Sequence, residues 1–353
     1  EQAIAEAVAD TGAQIGGGTD NDRAWMSVRT LSSEREREAA ITLAARMLTR
    51  PDYPDAALQR ERARAIAGLR ESLTRPATLA ERSFAEQVFG EHPYGRNASV
   101  ASLERITREA LIEFHREHYT ARNATVTIVG DADRATAARI AENLTRELPT
   151  GEPMPPLPAP SMPAAEVERI AHPSAQAHIL AGMPGIARED PDYYTLLVGN
   201  HILGGSGLIS RLSREVRDER GFAYSVYSYF APNAVPGPFQ IGLQTRGSQA
   251  EDALAVVRDV LAEFTESGPT DEELVAAKAN IVNGFGLRLD SNSKILGYVA
   301  MIGFYGLPLD WLDTYTTYVE SVDAQGIRDA FARRIRPENL VVVIAGGDGD
   351  RRD

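Results

Sequence analysis

Arg217 and Tyr224 lie seven residues apart within RLSREVRDERGFAYSVYSYF, residues 211–230. A guanidinium offers a rigid fork of donors and a phenol a hydroxyl on a stiff ring. Together they suit a peptide carbonyl or a terminal carboxylate. Residues 211–220 read as a charged helix, Gly221 as a turn, and 222–230 as an alternating strand. A helix end running into a strand can aim both side chains at one spot. A surface arginine and a half-buried strand tyrosine would show the same spacing, so the pair needs support from the rest of the chain.

A glycine loop, GGSG at 204–207, leads into this stretch. Gly204 and Gly205 read either as a tight turn or as backbone that a substrate can approach closely. Metal chemistry has few candidates. There is no cysteine, which removes thiolate sites and disulfides, and the histidines are His92, His115, His118, His172, His178 and His201. His115 and His118 are three apart with Glu117 out of phase for a base, so no metal is expected there.

The 353 residues imply about two domains. Hydrophobic residues make up 43% and charged residues 25%, ordinary for a globular chain. A net charge of −13 argues against nucleic acid or an anionic membrane as the main partner and is compatible with basic peptides. No apolar run approaches the roughly 20 residues of a membrane span.

Periodicity predicts helices over 34–48, 55–73, 79–89, 107–119 and 135–148, with strands at 23–31 and 123–130. The stretch 149–163, PTGEPMPPLPAPSMP, is a stiff proline-rich connector. Beyond it come strands at 178–182, 239–245 and 339–346, and helices at 190–203, 251–266, 270–289, 293–306, 309–319 and 324–334. Thr270 and Glu273 have the spacing of a capping box. The tail GDGDRRD reads as a solvated end rather than a calcium loop.

The two parts repeat. RNATVTIVGDAD at 122–133 resembles ENLVVVIAGGDGD at 338–350, PDAALQR at 54–60 resembles TDEELVA at 270–276, and AWMSVRT at 24–30 matches QIGLQTR at 240–246. Asn339 minus Asn123 and Leu274 minus Leu58 both give 216. The expected fold class is α+β: two pseudo-equivalent α/β domains, each an antiparallel-rich mixed sheet with helices packed on it. The divisions are 1–148, the linker 149–163, and 164–353. The second half starts near Ala164, and the chain opens on EQAIAEAVAD, a helix in mid-stride. The first repeat is therefore expected to be incomplete at its N-terminus, lacking the counterparts of 178–182 and 190–203.

These features resemble the pitrilysin/insulinase family of inverted-zincin peptidases, which includes the mitochondrial processing peptidases. The carriers are the duplicated halves, the linker, FGEHPYGR (89–96), RNATVTIVGD (122–131), GGSGLISRL (204–212) and RDERGFAYSVYS (217–228). The resemblance implies a clamshell around a peptide, with Arg217 and Tyr224 binding substrate and the glycine loop at Gly204 and Gly205 contacting it. It also implies zinc, held by H-x-x-E-H with a distant glutamate as third ligand. No H-x-x-E-H occurs in this sequence. Aligning Glu61 with the family's earlier glutamate puts Gly68 at the third-ligand position; a shift of one gives Ala67 or Leu69, and Glu71 is the nearest acid. No catalytic or metal residue is therefore expected in this chain. The expectation is a non-catalytic, substrate-binding subunit. Its partners would be a peptide and a homologous catalytic chain that carries H-x-x-E-H and the zinc. The alternatives are a fragment of an active peptidase and a purely structural homologue. Family analogy alone points to the periplasm.

Overall fold

The computed structural model describes residues 2–347, so the acidic tail at 348–353 lies outside the described residues. In chain order the elements of the first half are α1 (Gln2–Thr11), β1 (Gln14–Thr19), β2 (Ala24–Arg29), α2 (Glu34–Thr49), α3 (Asp55–Ser72), α4 (Pro76–Phe89), α5 (Val100–Glu104), α6 (Arg108–His118) and α7 (Arg134–Thr145). The second half adds β3 (Glu166–Ile170), β4 (Gln176–Pro184), α8 (Tyr193–Asn200), β5 (Ala223–Phe230), β6 (Pro238–Arg246), α9 (Ala250–Ser267), α10 (Asp271–Phe285), α11 (Asn292–Tyr305), α12 (Trp311–Ser321), α13 (Ala324–Arg334) and β7 (Val341–Gly346). Helix starts follow the sequence signals. Thr270 and Glu273 make the capping box, and Thr107, Asp133, Ser291 and Asp323 each accept a bond from a first-turn N–H. Among the described residues no helix is long and apolar enough to cross a membrane.

The fold is α+β, and its duplication extends beyond the three sequence matches. Helix α2 starts at 34 and α9 at 250, α3 at 55 and α10 at 271, α4 at 76 and α11 at 292, α6 at 108 and α13 at 324; each difference is 216. Contacts divide the chain into two units, each built from discontinuous stretches. One comprises the chain up to Ile66, Val100–Pro156 and Leu287–Leu309; the other Ala67–Ser99, Leu157–Gly286 and the chain from Asp310 onward. Helix α4, from the first repeat, thus belongs to the second unit, and its counterpart α11, from the second repeat, belongs to the first.

The second unit holds a five-stranded sheet in the order β3-β7-β4-β6-β5, with β3 and β7 parallel and the other pairs antiparallel. The central run VVVIAG of β7 is apolar at almost every position because both faces of the sheet are covered there. On one face Phe239, Phe264 and Phe331 are fully buried, with Phe264 and Phe331 edge to face at 4.9 Å. On the other face α4 lays Ala80, Phe84, Val88 and Phe89 against Leu180, Val341, Val343 and Ala345. Gly182 makes room for Phe84: a Cβ there would lie 2.8 Å from Phe84 Cζ. Ser83 and Gln87, on one flank of α4, both donate to Glu168 on β3.

The first unit contains the antiparallel β1–β2 ribbon, with Gln14 opposite Arg29 and Thr19 opposite Ala24. The Arg23 guanidinium lies 5.2 Å from the Phe304 ring of α11 and pairs with Asp20 at 3.0 Å. The strand predicted at 123–130 does not form; the segment is extended, without ladder bonds, and about half exposed. Its counterpart β7 is a strand because β3 and β4 flank it. Among the described residues 123–130 has no such neighbour, and apolar alternation alone does not make a ladder.

Candidate functional site

The segment between α8 and β5 is helical but not regularly so. The helix predicted over 190–203 ends as α-helix at Asn200 and continues as a π-type turn, His201–Gly205. A second π-type segment, Ser213–Asp218, replaces the α-helix predicted over 211–220. Such i→i+5 turns are uncommon and cluster at functional places. Asn200 ties the first turn to β5: its Nδ2 donates to the Ser228 carbonyl at 3.0 Å, and its Oδ1 accepts from Ser228 Oγ at 2.7 Å. β5 is an edge strand, so this turn covers backbone that would otherwise invite another strand.

Gly204 is buried in that contact, and a Cβ on it would fall 2.6 Å from the Ser228 backbone nitrogen. Close approach to β5 accounts for a glycine there. Gly205 is exposed and borders an open cavity of about 340 Å³ together with Arg188, Tyr193, Asn200, Ser228 and Tyr229.

Arg217 and Tyr224 do meet. Gly221, at φ 63°, turns the chain in the left-handed region, and the Phe222 N–H closes the turn on the Val216 carbonyl at 2.9 Å. The Arg217 guanidinium lies 5.6 Å from the Tyr224 ring centre and 3.5 Å from the Asp218 carboxylate. Tyr224 is 88% exposed. An exposed phenol beside a guanidinium can donate two kinds of hydrogen bond to one carbonyl or carboxylate.

A bulge aims that tyrosine. Ala223 is opposite Thr245 and Val226 opposite Leu243, so Tyr224 and Ser225 together face the single residue between them, Gln244. Ala223 and Val226 both point into the core. The extra residue keeps that phase and leaves Tyr224 on the same sheet face as Tyr227 and Tyr229. The latter two rings stack at 6.0 Å with 13° between planes. Burial raises the pKa of both phenols; for Tyr229, with added repulsion from Tyr227 and Glu81, it reaches about 12. Both therefore stay protonated at neutral pH. The sequence reading passed over them, although their i, i+2 spacing in SVYSYF is the mark of two rings on one face.

Among the described residues no group of three or more His, Asp or Glu side chains could hold an ion. Gly68 is exposed on α3, a helix with no buried residue, and a Cβ there would touch nothing. His115 bonds the Leu48 carbonyl at 2.8 Å and stacks on Tyr119, while His118 packs on Phe114 at 4.4 Å. Among the described residues, the side chains at the expected ligand positions do not fit a zinc ion.

The family described as peptidase M16 inactive domain matches residues 105–281. The chain belongs to the peptidase M16 family. The resemblance drawn from its motifs therefore holds. The peptidase M16 inactive domain from Pseudomonas fluorescens superposes with a TM-score of 0.94 at 36% identity, covering 98% of this chain and 83% of that one. An uncharacterized zinc protease of Streptomyces coelicolor is 32% identical over 233 residues, 64% of this chain and 50% of the relative. A non-peptidase homologue of Helicobacter pylori is 26% identical over 329 residues, 89% of this chain and 74% of the relative. The M16 chain spans half the length of the Streptomyces relative, and 66% and 62% of two mycobacterial ones.

Proposed function

We propose that this chain is the non-catalytic, substrate-binding subunit of a heteromeric zinc metallopeptidase that degrades or processes peptides. The observation that carries the reading is the Arg217–Tyr224 pair, held by a π-type turn and a bulge with its phenol in solvent. In this reading the pair binds a peptide carbonyl or carboxylate; Gly204, buried against β5, keeps a packing role, and Gly205, exposed in that loop, is left available to a peptide. A homologous chain carrying H-x-x-E-H supplies the zinc, which activates a water for attack on the peptide bond. The M16 inactive-domain match and the relative named a non-peptidase homologue support the division of labour.

A second reading is a fragment of an active peptidase. It is favoured by the relative named a zinc protease, of which this chain spans half. The test purifies the full-length protein, measures its metal and assays peptide cleavage alone and with its homologous chain. No zinc in this chain and cleavage only by the mixture are expected. Stoichiometric zinc with cleavage by this chain alone would overturn the subunit reading in favour of the fragment.

A further inference from the structure

Helix α4 covers only part of its face of the five-stranded sheet. It packs on β4 and β7 through Leu180, Val341, Val343 and Ala345. Leu180 pairs with Gly242 of β6, and Gly242 with Tyr227 of β5, so Tyr227 stands on the α4 side, with Tyr229 two residues on. None of the residues packed in the α4 cluster comes from β6 or β5. Tyr227 and Tyr229 remain 40% and 38% exposed as a stacked pair. Gly242 is the floor of the shelf: a Cβ there would lie 2.9 Å from Tyr227 Cε2.

Helix α4 also supplies a charge. Ser83 and Gln87 reach Glu168 at the β3 edge of the sheet. At 3.6 residues per turn, Glu81 falls on the opposite flank, toward β6 and β5. It is exposed, and no ion pair engages it among the described residues. Its negative charge contributes to the raised pKa of both phenols and acts on His178 of β4 as well. Aromatic faces beside a lone carboxylate attract a cation, the rings through their quadrupole and the carboxylate through its charge. This protein already uses that chemistry internally. Arg23 lies 5.9, 5.2 and 6.0 Å from the rings of Trp25, Phe304 and Tyr305 while pairing with Asp20.

We infer that Tyr227, Tyr229 and Glu81 form a subsite for a lysine or arginine side chain of the peptide whose backbone Arg217 and Tyr224 hold. The inference rests on the peptide-binding reading above and adds a substrate class, peptides carrying a basic residue. Charge complementarity selects the occupant: the shelf has an anion at the α4 end and a guanidinium at the Tyr224 end. At about 3.3 Å per extended residue, Tyr227 and Tyr229 lie about 10 and 16 Å along β5 from Tyr224. The basic residue therefore sits about three to five positions from the group bound at Arg217.

The test measures binding of two fluorescein-labelled peptides to the full chain. Both are unstructured runs of Ser, Ala and Gln with a free C-terminus; one carries a single Arg four positions from its end and the other Gln there. The Arg peptide should bind about tenfold more tightly. Glu81→Gln, at an exposed position, and Tyr229→Leu should bring the ratio close to one while leaving the Gln peptide unchanged. Arg217→Ala should weaken both alike. Equal affinity of the two peptides for the unaltered protein, or a ratio that survives Glu81→Gln, overturns the subsite and leaves the peptide-binding reading standing. If neither peptide binds, both fall together.

Discussion

Arg211 grips the carboxylate of Glu273 with two hydrogen bonds, Nε to Oε1 at 2.7 Å and Nη2 to Oε2 at 2.6 Å, and Nη2 also reaches the Gly268 carbonyl at 3.1 Å. The pair fastens the segment that bears Arg217 to the start of α10, where Glu273 also accepts from the Thr270 N–H at 2.9 Å. Burial works against the Glu273 charge, but the bonds from Arg211 and Thr270 outweigh it and hold its pKa at about 2, below the ordinary 4.5. A depressed folded-state value means stability that is present above pH 4.5 and lost as pH falls toward 2. The loss is on the order of 3 kcal/mol. Thermal melts of Glu273→Gln should be lower than those of the unaltered protein at neutral pH and converge with them in acid. Parallel curves across that window would refute the assignment.

Arg217→Ala and Tyr224→Phe should separate binding from folding. Both side chains reach solvent, so melting temperatures should move little. In the two-chain peptidase proposed above, peptide cleavage should fall, by roughly ten- to a hundredfold for the arginine, since a bond to a charged group contributes about 1.5–3 kcal/mol. Unchanged cleavage in both variants would remove the pair from the reaction.

Deleting Ser225 tests the bulge. Without it Ala223, Tyr224 and Val226 can follow plain alternation opposite Thr245, Gln244 and Leu243, so the core phase survives. The local twist that sets Tyr224 against Arg217 does not. The deletion should therefore melt close to the unaltered protein while binding peptide as weakly as Arg217→Ala. Retained affinity would show that the bulge has no part in aiming Tyr224.

Phe84→Ala should destabilise the second unit by about 3–5 kcal/mol, because Phe84 is almost fully buried over Gly182 and leaves a cavity behind. Hydrogen exchange should accelerate in β4 and β7 more than in the β1–β2 ribbon. Acceleration confined to α4 would mean that the sheet stands without it.

Much of this fold was readable from local pattern. α13 occupies the predicted 324–334, the capping box stands at Thr270, and the helix–turn–strand run that brings Arg217 to Tyr224 followed from charge, a glycine and alternation. The misreadings share a cause. NATVTIVG at 123–130 and NLVVVIAG at 339–346 carry the same apolar signal, yet only the second is flanked by strands. The pattern encodes what could be buried, and pairing depends on neighbours elsewhere. The π-type turns at His201–Gly205 and Ser213–Asp218 were read as α-helix, since a single five-residue turn barely alters a 3.6-residue period. The Tyr227–Tyr229 shelf becomes visible only once α4 is seen to stop short of β6 and β5.

The reciprocal placement of α4 and α11 has a consequence for any attempt to halve this chain. Severed between residues 149 and 163, the C-terminal piece would carry the five strands but not Phe84, and its own α11 would be left without the surface it serves. The N-terminal and C-terminal halves would have to exchange α4 and α11 to become whole, much as swapped dimers exchange elements. Mixing separately produced halves should therefore restore a folded species that neither half yields alone.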